Sequence, residues 1–323
     1  MKDHTPTGQG RRRFGILLAC VAGVVGGAEL GARALGFGHP LLYRASASGY
    51  EVVPGQMIER LGKEMRINAL GLRGADVAAT PPAGTTRILA LGDSVTQGGA
   101  QSNDSETYPA LLQTALAPAR VEVLNASAGG WAVQNEAKWL ESHGLLVASI
   151  VVLEINEKDL DQDWAYALLD RNPSFPSHRP ATALGEIWTR YVLPRLGLVQ
   201  AADPGSELTA FAGGNVAAVQ AAVEAINAQV TRAGARLVVL YWDPRELRPA
   251  AEPARQSLFQ WAERQGVPVL RPQLNRRADA GLLFRDAIHP NPRGNARIAG
   301  EMAGALRPML SPPHSPPPHS PAS

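Results

Sequence analysis

Five short apolar runs, at residues 87–92, 121–125, 149–155, 236–242 and 267–270, constrain this chain more than any other feature. Strands covered on both faces read as continuous Val/Ile/Leu runs, whereas a half-wetted strand alternates apolar and polar residues. Helix-length stretches near 107–117, 133–143, 215–233, 254–265 and 292–309 fall between and after them. Strand–helix–strand alternation with right-handed crossovers favours a parallel sheet. The expected fold is therefore α/β: a flavodoxin-like, three-layer α/β/α sandwich on a five-stranded parallel sheet.

Ser94 stands at the end of the first run, in RILALGDSVTQG, with Gly92 and Asp93 as the turn. That places its hydroxyl at the carboxyl end of a strand, where open α/β sheets keep their ligand crevices. A serine hydroxyl is a poor nucleophile until a positioned base takes its proton. Nearly two hundred residues later, FRDAIHPNPRGN supplies Asp286 and His289, three apart. Imidazole both takes and returns a proton near neutral pH, and a carboxylate at that spacing can hold the other ring N–H and fix the tautomer. Taken singly, each motif has a plainer reading: Gly-Asp-Ser as a turn, His289 as a loop residue, Asp286 as a helix cap. Their joint occurrence, in the order Ser…Asp…His, points to one site.

The string Gly92-Asp93-Ser94-Val95-Thr96 does not fit the G-x-S-x-G of strand-elbow hydrolases. It resembles the SGNH, or GDSL, hydrolase family, in the membrane-anchored bacterial form, over roughly residues 87–310. The resemblance implies that Ser94 is the nucleophile, that its own N–H is one oxyanion donor, and that Gly130, in VLNASAGGWAVQNE, supplies a second. A glycine suits that place because backbone reaches the reacting carbonyl only where no side chain intervenes. Members usually carry Gly-x-Asn-Asp after the third strand. IVVLEINEKDLD departs from it: Lys158 aligns with the asparagine, Asp159 follows, and Asn156 sits two residues early. Three readings remain: Asn156 still points at the oxyanion, Lys158 replaces it, or the third donor is missing.

Both ends of the chain bear on location. Arg11, Arg12 and Arg13 precede an uncharged run over residues 14–28, and apolar character resumes after Glu29 to residue 37. Fifteen residues are short of the ~20 a span needs, but Glu29 and Arg33 at i,i+4 let a helix over 14–37 cross. The basic residues would keep the amino end in the cytoplasm and place the rest outside, at the cell envelope. A cleaved signal peptide, with small residues at 26–28, is the alternative and would give a secreted protein. A partial twin-arginine match and a lipoprotein-like box ending at Cys20 rank lower. The tail at 311–323, rich in Pro and Ser, is expected to be disordered.

The domain organisation expected is thus an amino-terminal segment at 1–38, a Gly- and Pro-bearing leader at 39–86 packing on the domain, the catalytic domain at 87–310, and the tail. Within the leader, residues 66–74 (RINALGLRG) resemble an Asn-x-x-Gly-x-Arg segment of membrane-tethered members, either bordering the site or forming a surface turn. Residues 161–214 are an insertion with Trp164, Tyr166, Phe175, Trp188, Tyr191 and Phe211, read either as a lid or as an added packing layer. Cys20 is the only cysteine, so no disulfide is expected, and no His/Cys spacing suggests a metal or other cofactor. A formal charge of +2 without a basic stripe gives nucleic-acid binding no support. The expected activity is hydrolysis of an acyl ester, O-acetyl by resemblance and carried on a carbohydrate. The alternatives are an O-acyltransferase on an envelope polysaccharide and a non-catalytic carbohydrate-binding scaffold. The oligomeric state is not legible.

Overall fold

The computed structural model describes residues 8–164, 169–198 and 214–310. Tyr166, Phe211 and the Pro/Ser-rich tail, about which the sequence raised expectations, lie outside them. The chain enters through helix α1 (Gly8–Ala34) and then forms two antiparallel hairpins, β1 (Tyr43–Ser46) with β2 (Gly49–Val52) and β3 (Gln56–Arg60) with β4 (Lys63–Ile67). Sequence reading assigned no strands to residues 39–86. The strands there are four or five residues long, so alternation such as buried Ile58 and Arg60 between exposed Met57 and Glu59 is too brief to register as a pattern.

The main sheet then begins with β5 (Thr86–Gly92), followed by the single turn α2 (Ser94–Gln97), α3 (Tyr108–Ala115), β6 (Val121–Ser127), α4 (Val133–His143) and β7 (Ile150–Asn156). The insertion contributes α5 (Ala183–Ile187), a π-helical turn at Trp188–Val192 and α6 (Leu193–Arg195). The sheet resumes with α7 (Val216–Arg232), β8 (Arg236–Trp242), α8 (Glu252–Gln265), β9 (Val269–Leu270) and α9 (Pro292–Leu310). β9 is shorter than the run at 267–270 suggested, because Pro268 has no N–H to give and joins only through its carbonyl, which accepts from Val239.

All five strands are parallel, in the order β6-β5-β7-β8-β9. Counted within this sheet alone the order is 2-1-3-4-5, the doubly wound flavodoxin-like arrangement. The winding reverses between β5 and β7, and the carboxyl ends of those strands frame the crevice. Side-chain alternation divides the core: Leu89, Leu91, Val151, Leu153, Val239 and Tyr241 face α4, α7 and α8, and Ile88, Ala90, Val152, Val238 and Leu240 face α3 and α9. Tyr43, Tyr50, Ile58, Met65 and Ile67 of the hairpins join the first of these clusters.

Candidate active site

Asp93 turns the chain from β5 into α2. Its Oδ1 accepts from the Val95 N–H at 2.7 Å, capping the turn that begins with Ser94. Gly92 has to be glycine here, since a Cβ would stand 2.2 Å from Thr96 Oγ1. Ser94 is left half-buried, with its hydroxyl 2.8 Å from His289 Nε2. His289 is 2% exposed, and its Nδ1 lies 2.8 and 3.0 Å from the two Asp286 oxygens. A ring that donates from Nδ1 to a carboxylate presents Nε2 as an acceptor, so this network assigns the serine as donor to the histidine.

Residues 284–290 hold that geometry as a closed loop. Arg285 N–H donates to the His289 carbonyl at 2.8 Å, while Asp286 Oδ1 accepts from the Ile288 and His289 N–H groups at 2.9 and 2.8 Å. Trp242, at the end of β8, donates its indole N–H to the Ile288 carbonyl at 2.7 Å, tying the loop to the sheet. The cap of α9 is Asn291, whose Oδ1 accepts from Arg293 and Gly294, so Asp286 is not a helix cap. Burial pushes the Asp286 carboxyl up, but the hydrogen bond and charge of His289 outweigh it and bring the group to about 2.

Gly130 adopts φ +72, and a Cβ there would lie 3.0 Å from Phe175 Cζ and 3.1 Å from the Tyr50 hydroxyl. Its loop is fixed through carbonyls: Tyr50 donates to Gly129 O at 2.7 Å and Gln162 to Gly130 O at 3.0 Å. Neither the Ser94 nor the Gly130 N–H donates to another described residue. Asn156 is engaged with Asp93 and with the Lys158 backbone. The Asn156 carboxamide is 1% exposed with its residue and donates to Asp93 Oδ2 at 3.2 Å, while its Oδ1 accepts from the Lys158 N–H at 2.9 Å.

Ser94, His289 and Gly130 line one cavity of about 220 Å³, and neither Asn156 nor Lys158 is among its lining residues. A larger groove of about 410 Å³, beside Arg73 and Asp104, contains none of these groups. The cavity does hold residues that sequence reading passed over. Gln97 is 4% exposed and its Nε2 has no hydrogen-bond partner. Its i+3 spacing from Ser94 was the available signal. Arg285 and Arg190 also line it, as do Phe175 and Tyr191 of the insertion; Trp188, by contrast, is 53% exposed. Arg73, of the RINALGLRG segment, is buried and donates to the carbonyls of Gln97, Gly99 and Ser102, clamping the loop after α2. Among the described residues no group of three or more His, Cys, Asp or Glu side chains is arranged to hold a metal ion.

Residues 90–297 match the model of the GDSL-like lipase/acylhydrolase family. The chain belongs to this family. It is therefore a hydrolase acting on ester bonds. Solved structures similar to this acylhydrolase include the psychrotrophic esterase EstA from Pseudoalteromonas, at 17% identity over 70% of this chain and 98% of that one, TM-score 0.45. The lipase/acylhydrolase from Enterococcus faecalis is 14% identical over 72% and 100%, TM-score 0.46. A G-D-S-L lipolytic family member from Veillonella parvula is 14% identical over 69% and 98%, TM-score 0.43. No curated protein matches the sequence of this acylhydrolase.

Beneath the Ser94 turn, the acylhydrolase buries four carboxyl groups: Asp93, Glu136, Glu154 and Asp159. Burial pushes Glu136, Glu154 and Asp159 well above the usual carboxylate range, and mutual repulsion adds to it, from Asp93 onto Glu154 and Asp159 and from Asp159 onto Glu136. Both Glu136 oxygens lack hydrogen-bond partners, as a neutral acid tolerates better than an anion.

Proposed function

We propose that this acylhydrolase is a serine esterase that cleaves a small acyl ester, O-acetyl in the first instance, from a carbohydrate through an acyl-Ser94 intermediate. The observation that carries this reading is the continuous Ser94–His289–Asp286 chain, with 2.8 Å at each junction, in the wall of a cavity. His289 takes the Ser94 proton as the oxygen attacks the ester carbonyl, then gives it to the departing alcohol. Water attacks the acyl-serine with its proton passing to the same nitrogen; the Ser94 Oγ–acyl bond then breaks, the carboxylic acid leaves and the imidazolium returns its proton to Oγ, while Asp286 holds the ring and balances its charge. The oxyanion is received by the Ser94 and Gly130 amides and by the Gln97 carboxamide, rather than by Asn156, which Asp93 engages, or by Lys158. The cavity, about 220 Å³, is walled by Phe37, Leu41, Ile58 and Phe175 as well as by glycine, glutamine and arginine, and its small volume supports a short acyl group.

The amino-terminal apolar helix fits a signal anchor or a signal peptide. In the proposed reading it is an anchor, and the catalytic domain works outside the cytoplasmic membrane on envelope carbohydrate. A fluorophosphonate probe should label Ser94 stoichiometrically, and an acetylated sugar should release acetate. Labelling with no acetate, but with acetyl appearing on a second sugar, would replace the hydrolase by a transferase. Absence of labelling alongside polysaccharide binding would leave a scaffold.

A further inference from the structure

We infer that the substrate carries an oxyanion, a carboxylate or a phosphate, beside the ester it presents to Ser94, and that Arg190 and Arg285 receive it. The inference deepens the proposed esterase reading and rests on it for the identity of the cavity. Among the described residues, three arginines, Arg60, Arg190 and Arg285, line the cavity that holds Ser94 and His289, and no aspartate or glutamate does. Their charges are unequally answered. Arg60 is 7% exposed in its side chain and closed into a 2.6 Å ion pair with Glu186, so it is structural. Arg190 reaches that same Glu186 carboxylate only at 3.9 Å, beyond hydrogen-bond distance, while Arg60 and the Gly38 N–H already occupy the carboxylate at 2.6 Å each.

Arg285 is in a similar position at the other wall. It lies 3.6 Å from Asp286 Oδ2, whose oxygens are engaged by His289, and 3.4 Å from the Gly98 carbonyl. Among the described residues three guanidinium groups therefore share two carboxylates, Glu186 and Asp286, each with another partner, which leaves one positive charge over at the cavity. Guanidinium N–H groups in that state are donors in search of planar oxyanion acceptors, and a concave wall of one sign of charge concentrates anions from solution. A neutral acetylated sugar would leave those donors facing water. A uronic acid or a sugar phosphate would satisfy them while its ester lies at Ser94.

The test uses the full-length chain in detergent with three acetylated methyl glycosides that differ only at C6: glucoside, glucuronide and glucoside 6-phosphate. At low ionic strength, kcat/KM for at least one charged ester is expected to exceed the neutral one by tenfold or more. That ratio should fall towards one in Arg190→Gln and in Arg285→Gln, and the preferred charged ester identifies the anion. Because the ratio is internal to each variant, a general loss of activity leaves it readable. A ratio near one in the unaltered enzyme, or one that survives both substitutions, overturns the inference. If nothing is hydrolysed, 4-nitrophenyl acetate included, it is the esterase reading that has failed. Calorimetric titration of Ser94→Ala with unacetylated methyl glucuronide, glucose 6-phosphate and methyl glucoside then decides the anion on its own. Binding of a charged sugar that is lost with Arg190→Gln supports it; equal binding of charged and neutral sugars, or no binding, overturns it.

Discussion

At the scale of single residues, the proposed mechanism rests on a few hydrogen bonds whose removal has distinct signatures. Asp286→Asn keeps the shape but no longer dictates which His289 nitrogen carries the proton, so kcat is expected to fall by about 10³- to 10⁴-fold with little change in KM. The same substitution should leave a mark on stability. A carboxyl at about 2 in the fold, against 3.8 unperturbed, stabilises the protein above about pH 4, and that share is lost as pH falls towards 2. Melting curves of Asp286→Asn should therefore be flatter than those of the parent between pH 4 and 2, and parallel slopes would show that His289 does not hold the carboxylate. The proposed oxyanion donors separate equally well. Gln97→Ala is expected to lower kcat by about a hundredfold, the usual order for one such donor, while Lys158→Ala stays within about threefold. A larger loss in Lys158→Ala than in Gln97→Ala would return the third donor to the position that alignment suggested.

At the scale of elements, what was legible in the sequence followed from how far each signal reaches. The five parallel strands and the helices between them could be read because uninterrupted Val/Ile/Leu runs such as residues 150–153 have no other stable use, and the Ser94 and His289 loops because their residue types and order are chemically specific. The hairpins of residues 43–67 were missed because strands that short carry too little pattern. Arg190 in the cavity was missed because a cation's partners lie far away in sequence: Glu186 is its neighbour, but the Ser94 turn is ninety-six positions distant. The interior position of Glu136 on α4 was hidden for the same reason, since a helical glutamate reads as solvated until the packing is known. That buried acid yields a prediction belonging to its helix. A carboxyl raised in the fold contributes stability that is complete below about pH 4.5 and is lost as pH climbs through its folded value. Glu136→Gln removes the ionisable group while keeping the volume. Its melting temperature should exceed the parent's at pH 8 and match it at pH 4.5. Equal differences at both pH values would mean that the carboxyl ionises without penalty.

At the scale of the whole molecule, α1 divides into two parts along its length. The helix over residues 12–34 contains an 18-residue window of mean hydropathy 1.9 and is, by length and composition, long and apolar enough to cross a membrane. Its last turns, however, are committed to the catalytic domain. Glu29 accepts from the Ala183 and Leu184 N–H groups at 2.8 and 2.9 Å, Arg33 pairs with Glu29 at 2.7 Å, and Ala32 is 6% exposed. Those contacts hold the start of α5, which carries Glu186 and hence the pair with Arg60 in the cavity wall. The division predicts opposite outcomes for two truncations. Removal of residues 1–28 discards most of the apolar surface, including exposed Phe14, Leu17 and Val24, but spares Glu29; the product should be soluble without detergent, with its melting temperature and ester turnover close to those of the full chain. Removal of residues 1–34 takes Glu29 and Arg33 as well. Two α5 N–H groups lose their acceptor, so the melting temperature should drop and the preference for charged esters should weaken as Glu186 and Arg190 shift. If the two truncated proteins melt and turn over alike, the last turns of α1 serve the membrane alone and the coupling between helix and cavity is absent.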